Sequence, residues 1–127
     1  MAAYVNDLTM DAAITYVMLR GTRINICTTA PTSYAEATST YMLAQSADAL
    51  TSTDFTLTTG AVTGRKCIIP ATTALSVAVS GPSAFVAVTG SSGSTLLLYA
   101  PCTTQALVTG NTVSTTAFDW TILDVTT

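Results

Sequence analysis

Apolar residues near the start of the chain recur with the spacing of an α-helix. Asn6 or Asp7 can cap this segment, Arg20 lies in its last turn, and Gly21 follows as a stop. The pattern predicts a helix over Asp7–Arg20. Because its apolar surface covers more than one stripe, we expect this helix to pack on two surfaces. The apolar positions are Leu8, Met10, Ala12, Ile14, Val17, Met18 and Leu19.

From residue 22 onward, apolar and polar side chains alternate with the period of two that is typical of β-strands. Gly81-Pro82, Gly110-Asn111 and the Gly-Ser-Ser-Gly run at 90–93 are predicted turns, Gly60 and Gly64 bracket another, and the polar segment 34–40 is a predicted loop. The predicted strands cover residues 22–27, 40–44, 54–58, 65–69, 74–79, 85–88, 95–100, 112–116 and 118–122, with a shorter run at 107–109.

The strand pattern predicts the fold class. About seven to nine short antiparallel strands with turns every 8–12 residues or so favour a mainly β protein, a β-sandwich or small barrel with one amino-terminal helix. We expect one domain over residues 1–127, in which 1–21 form the helical segment and 22–127 the β domain. In the last strand, Phe118, Trp120 and Ile122 are predicted to face inward, and Asp119 and Thr121 outward.

The charge content narrows the possible partners. Charged residues make up 9% of the chain, whereas an average soluble domain has about 25%. Four basic residues and a net charge of −3 cannot supply the phosphate contacts of a nucleic-acid-binding protein. So little charge, together with 27 threonines, predicts either a hydroxyl-rich surface or a surface that is covered in an assembly.

Membrane and secretion signals are not expected from this sequence. The longest uncharged stretch, residues 67–118, is rich in Thr, Ser, Gly and Pro and therefore does not predict a membrane span. No basic segment precedes an apolar run at the amino terminus, so no signal peptide is expected.

The side chains that carry catalysis are scarce. The sequence has no histidine, which is the commonest general base and a frequent zinc ligand, and its seven acidic residues are scattered. Cys27, Cys67 and Cys102 lie about 40 and 35 residues apart, which matches no metal-binding spacing. They are open to disulfide formation, but buried thiols are favoured. We therefore expect no enzyme activity, metal or cofactor.

The segment 60–66 ends in the chain's local positive spot, Arg65 and Lys66. It lacks the spacing of a phosphate-binding loop, and Cys67 stands where that motif needs a hydroxyl. A hairpin turn that leads into a strand explains the segment, although the two cations could also pair with an acidic partner surface.

Tyr34 and Tyr41 flank a polar stretch. Tyrosine provides contact area and a hydrogen bond at low entropy cost, so a recognition loop is one interpretation. Tyrosines at the edge of the core are the other.

Three segments together resemble small virion proteins of tailed bacteriophages, of the head decoration or cement type. They are the helix Asp7–Arg20, the run R-I-N-I-C-T-T-A-P-T-S-Y-A-E-A-T-S-T-Y-M-L at 23–43, and the run G-N-T-V-S-T-T-A-F-D-W-T-I at 110–122. The three cysteines depart from the pattern.

The resemblance implies a non-enzymatic structural protein on the capsid surface of a virion. Such a protein would bind and stabilise the shell of the major capsid protein, or other virion proteins, and a homo-oligomer, preferably a trimer, is expected. The candidate contact residues are Leu8, Met10, Ile14, Val17, Tyr34, Tyr41, Arg65 and Lys66.

Two alternatives stay open at this point. A tail, collar or fibre component would have the same sequence features. A carbohydrate-binding β-sandwich could use Trp120, Tyr34 and Tyr99 to stack on sugars, although the inward direction predicted for Trp120 counts against it.

Overall fold

A computed structural model describes residues 6–59 and 64–122. It confirms a mainly β protein with one amino-terminal helix; the strands outnumber the prediction because two of them have only two residues. The helix and strands are α1 (Asp7–Arg20), β1 (Arg23–Cys27), β2 (Met42–Gln45), β3 (Thr56–Thr59), β4 (Arg65–Ile69), β5 (Thr72–Ser76), β6 (Gly81–Pro82), β7 (Phe85–Gly90), β8 (Thr95–Pro101), β9 (Ala106–Leu107), β10 (Thr112–Thr115) and β11 (Phe118–Ile122).

The strands form two larger sheets and two short pairs, all antiparallel. The four-stranded sheet has the order β2-β1-β7-β8, and the three-stranded sheet has the order β11-β4-β3. β10 pairs with β5, and β6 pairs with β9. The predicted Gly-Ser-Ser-Gly turn at 90–93 joins β7 to β8 as a hairpin.

The main core lies between the helix and the two larger sheets. Ile24 and Val88 of the four-stranded sheet cluster with Cys67 and Ile69 of the three-stranded sheet and with Ile14 of α1. All five are fully buried, and burial of each such aliphatic side chain contributes about 1.5–3 kcal/mol. As predicted, Phe118, Trp120 and Ile122 of β11 pack against this cluster, and Asp119 and Thr121 point to solvent.

The helix has the predicted bounds, and different interactions determine where it begins and where it ends. Asn6 caps the start by accepting a hydrogen bond from the backbone N–H of Leu8 at 2.7 Å. Gly21 ends the helix in an extended conformation. A Cβ there would lie 2.9 Å from Phe55 Cζ and 3.1 Å from Val88 Cγ1, so close packing, and not a left-handed turn, requires the glycine.

The outer face of the four-stranded sheet is also partly covered. Residues 36–40, expected to be loop, form a π-helical turn, in which Tyr41 N–H donates to the carbonyl of Glu36 at 2.9 Å. Ala37 of this turn is fully buried against Cys27 and Ala87. We call residues 36–40 the π turn.

Three other elements differ from the prediction. A 3-10 turn at Ser52–Asp54 takes the place of the start of the strand expected at 54–58. Gly81–Pro82, expected to be a turn, pairs with Ala106–Leu107. The strand expected at 74–79 runs over Thr72–Ser76, where it pairs with β10, and Val77 forms an isolated bridge to Ala44 of β2.

The expected turn residue Gly60 lies outside the described residues. Among the residues that the structure describes, no helix has the length and apolar character needed to cross a membrane.

Candidate functional site

One side of α1 exposes apolar side chains to solvent. Leu8, Tyr16 and Leu19 are 76%, 50% and 67% exposed, and Ala12 between them is exposed as well. The spacing of four, four and three residues places all four on one side of the helix. We call Leu8, Ala12, Tyr16 and Leu19 the helix stripe.

The opposite side of α1 is held in the core. Met10, Ile14 and Val17 are buried, so these three predicted contact residues are corrected: they stabilise the fold and have no surface to offer a partner. Of the helix residues predicted to bind a partner, only Leu8 is accessible. Tyr16 and Leu19 are not among the predicted contact residues, although their helical spacing from Leu8 places both on its side of α1.

The predicted positive spot is already paired within the chain. Arg65 Nε lies 2.6 Å from Asp11 Oδ1, and a second guanidinium nitrogen donates to Thr59 Oγ1 at 3.0 Å. Lys66 Nζ lies 3.3 Å from Asp119 Oδ2 on the neighbouring strand. Arg65 therefore ties α1 to β4, and Lys66 ties β4 to β11, so each cation already has an acidic partner within the chain.

Tyr34 and Tyr41 are half-buried and flank the π turn. The Glu36 carboxylate accepts hydrogen bonds from the hydroxyl and the backbone N–H of Thr32, and these lower the pKa of Glu36. Its hydrogen bond with Tyr41, followed by its negative charge, raises the pKa of that tyrosine. The predicted recognition loop is thus a turn that its own side chains hold in place.

A cleft of about 760 Å³ opens beside the end of β8. Its apolar lining includes Ile26, Val86, Val113 and Phe118. The polar lining includes Ser83, Cys102, Gln105 and Asp119.

The Ser83 hydroxyl in the cleft is hydrogen-bonded to the backbone, and the Cys102 thiol is half-buried. Ser83 Oγ donates to the carbonyl of Thr103 at 3.1 Å and accepts from the backbone N–H of Gln105 at 3.0 Å. Burial raises the pKa of Cys102, which keeps the thiol protonated. In the described part of the chain, no cluster of His, Cys, Asp and Glu side chains could hold a metal ion.

All three cysteines are free. The buried-thiol prediction is confirmed for Cys27 and Cys67, which are fully buried and whose pKa burial raises to about 11. Cys102 is half-buried and packs against the core on the inner side of the sheet, whereas Cys27 packs on the outer side. A disulfide between Cys27 and Cys102 would have to cross the sheet.

Trp120 and Tyr99, two of the aromatic residues considered for sugar stacking, differ in their exposure. Trp120 packs against the core and is half-buried, so its ring is not a free stacking face. Tyr99 is the more exposed ring, and it meets Phe85 edge to face at 5.6 Å between centroids.

Comparison of the chain with protein-family models, curated proteins and solved structures finds no match.

Proposed function

We propose that this chain is a non-enzymatic structural protein of a phage particle, a head decoration protein that binds the shell of the major capsid protein through the helix stripe. The observation that carries the proposal is the exposure of Leu8, Tyr16 and Leu19 on one side of a helix whose other side is fixed in the core.

The stripe is suited to docking because its helix is held before binding. Core packing of Ile14 and the Arg65–Asp11 ion pair fix α1 against the sheets. A preformed apolar surface loses little conformational entropy when it enters a groove of a partner. Arg20 lies 5.3 Å from the centroid of the Tyr16 ring and adds a cation beside the stripe.

The resemblance and the composition support the same proposal. Residues 23–43 and 110–122, which resemble head decoration proteins, contain β1, the π turn, the first half of β2, β10 and β11. A body with 9% charged residues can approach neighbouring subunits closely without much desolvation of charge.

The test measures how many copies of the protein each particle carries. Purified heads and tails are separated and the protein is quantified by mass spectrometry, for the wild type and for the double variant Leu8→Glu, Leu19→Glu. The control is Val79→Glu, Val108→Glu, which adds the same charges at exposed positions outside α1.

We expect many copies on heads, a loss of at least about tenfold in the helix variant, and little change in the control. Far-UV circular dichroism of each free variant checks that it is folded. A location on tails would instead support a collar or fibre component. Absence from every particle fraction, or full loading of the helix variant, would overturn the proposal.

A further inference from the structure

β8 is the end strand of the four-stranded sheet, and one of its two sides has no strand beside it. It pairs with β7, and among residues 6–59 and 64–122 no backbone hydrogen bond leaves its other side. The opposite end of the same sheet is closed, since the N–H groups of Ala78 and Val79 donate to the carbonyl of Leu43 in β2. The sheet is therefore open only at β8, as far as the described residues go.

The composition of β8 distinguishes it from the other open edges. It has seven residues, Thr-Leu-Leu-Leu-Tyr-Ala-Pro, and no charge. β3 and β10 have four residues each, mostly Thr and Ser, and β11 carries Asp119. Edge strands are usually protected by shortness, charge, proline or bulges. β8 has only a proline at its last position and a bulge in its pairing with β7.

The register of the hairpin shows which backbone groups are free. Cys102 N–H donates to the carbonyl of Ala84, so this pair is hydrogen-bonded. Hydrogen-bonded and non-hydrogen-bonded pairs alternate in an antiparallel ladder, so Tyr99, opposite Ala87, belongs to a non-hydrogen-bonded pair. The N–H and C=O of Tyr99 therefore point away from β7, toward the open side.

We propose that this open side binds a second copy of the chain, with the two β8 strands paired antiparallel around a two-fold axis. A strand edge is complementary to itself in this arrangement, because each free N–H meets a free C=O of the other copy. The pairing would join two four-stranded sheets into one sheet of eight strands.

The charges of the chain favour a second copy as the occupant. Although the whole protein has a net charge of −3, residues 91–105 contain no charged side chain, so no like charges meet across the axis. Leu96 and Tyr99 lie on the outer face of β8 and would add apolar contacts across the axis. The two-fold geometry gives a dimer, not the trimer expected from the sequence.

An edge of seven residues is smaller than a standard protein interface. We therefore expect a reversible dimer that dissociates on dilution. Sedimentation velocity over a wide range of protein concentration measures this directly.

The first test compares two lysine substitutions at similarly exposed positions. Tyr99→Lys places a charge on β8 (46% exposed), and Val79→Lys places the same charge beside the closed end of the sheet (49% exposed). We expect the wild type and Val79→Lys to dimerise alike and Tyr99→Lys to stay monomeric, with thermal unfolding confirming that both variants are folded. A wild type that is monomeric at all concentrations, or trimeric, would overturn the proposal.

The second test locates the axis with single cysteines. Directly opposed residues share a face and side chains alternate along a strand, so the two-fold axis must lie midway between one residue and its own copy. The Cβ atoms of that residue and its copy are then about 4.5–5.5 Å apart. Leu97→Cys, Leu98→Cys and Tyr99→Cys are compared in a Cys102→Ser background under mild oxidation, with Val79→Cys as the control.

We expect one of the three β8 variants to form a disulfide-linked dimer efficiently, and Val79→Cys not to. A dimer that crosslinks at none of the three positions would assign the interface to another surface and overturn the proposal. The variant Leu8→Glu, Leu19→Glu should dimerise like the wild type, because its substitutions lie on α1 and not on β8. Loss of dimerisation and loss of particle binding are therefore measured independently.

Discussion

At the scale of single residues, the buried polar pair between β1 and β7 fixes the register of the central strands. Asn25 Nδ2 donates to Thr89 Oγ1 at 2.8 Å, and both residues are almost fully buried. Thr89→Val keeps the shape but removes the acceptor, which leaves a buried amide without this bond. We expect this to lower the free energy of unfolding by about 1–3 kcal/mol.

Urea denaturation measures that change. Thr121→Val, at an exposed position of β11, is the control and should change stability by less than about 0.5 kcal/mol. Equal stability of the two variants would show that the hydrogen bond contributes nothing net.

The three thiols should differ in reactivity. Thiolate is the reactive form, and burial raises the pKa of Cys27 and Cys67 to about 11. Cys102 is half-buried at the cleft. With an aromatic disulfide reagent at mildly alkaline pH, we expect Cys102 to react first and the other two to react only after denaturation. Mass spectrometry of the labelled peptides identifies the order; early labelling of Cys67 would contradict the packing described.

At the scale of elements, the two sides of α1 should respond differently to truncation. Ile14 is fully buried and Leu8 is largely exposed. We expect Ile14→Ala to lower the free energy of unfolding by about 2–5 kcal/mol, because it leaves a cavity in the main core. Leu8→Ala should change it by less than about 0.5 kcal/mol. Thermal and urea unfolding compare the two, and a costly Leu8→Ala would mean that the stripe packs within the chain.

The π turn should lose stability in acid. Hydrogen bonds from Thr32 lower the pKa of Glu36 in the folded state, so the carboxylate stabilises the fold above its ordinary pKa. This contribution is lost as the pH falls through the lowered, folded-state pKa. Glu36→Gln should therefore lower the melting temperature at neutral pH and have a smaller effect in strongly acidic buffer. A difference from the wild type that is independent of pH would contradict this origin.

The elements that could be predicted from sequence are those with a regular pattern and a clear stop. α1 and β4 have the predicted bounds, and β11 has the predicted inward side chains. The π turn has no period of its own over five residues, and it is stabilised by contacts of Ala37 with Cys27 and with Ala87, which lies in a later strand. The pairing of β6 with β9 is likewise a long-range contact between two-residue segments.

At the scale of the whole molecule, the candidate site shows where sequence reasoning stops. The apolar pattern of α1 indicates two faces, but only the position of the sheets decides which face is buried. Met10 and Ile14 therefore became core residues, and Leu8 stayed exposed. The pairing of Arg65 with Asp11 also depends on the folded arrangement, because the two residues are 54 positions apart in sequence.

The helix and the sheets should unfold together. Ile14 of α1 shares one core with Ile24 and Ile69, and the Arg65–Asp11 ion pair links the helix to β4. Far-UV circular dichroism reports secondary structure that includes the helix, and Trp120, the only tryptophan, reports the three-stranded sheet by fluorescence. We expect the two urea transitions to coincide, as in a two-state protein of this size. A separate, earlier transition in circular dichroism would contradict this, and it would be unchanged in Asp11→Asn if the ion pair to β4 did not hold the helix. The helix would then be an independent unit. A helix that detaches so easily could not present a fixed stripe to a partner.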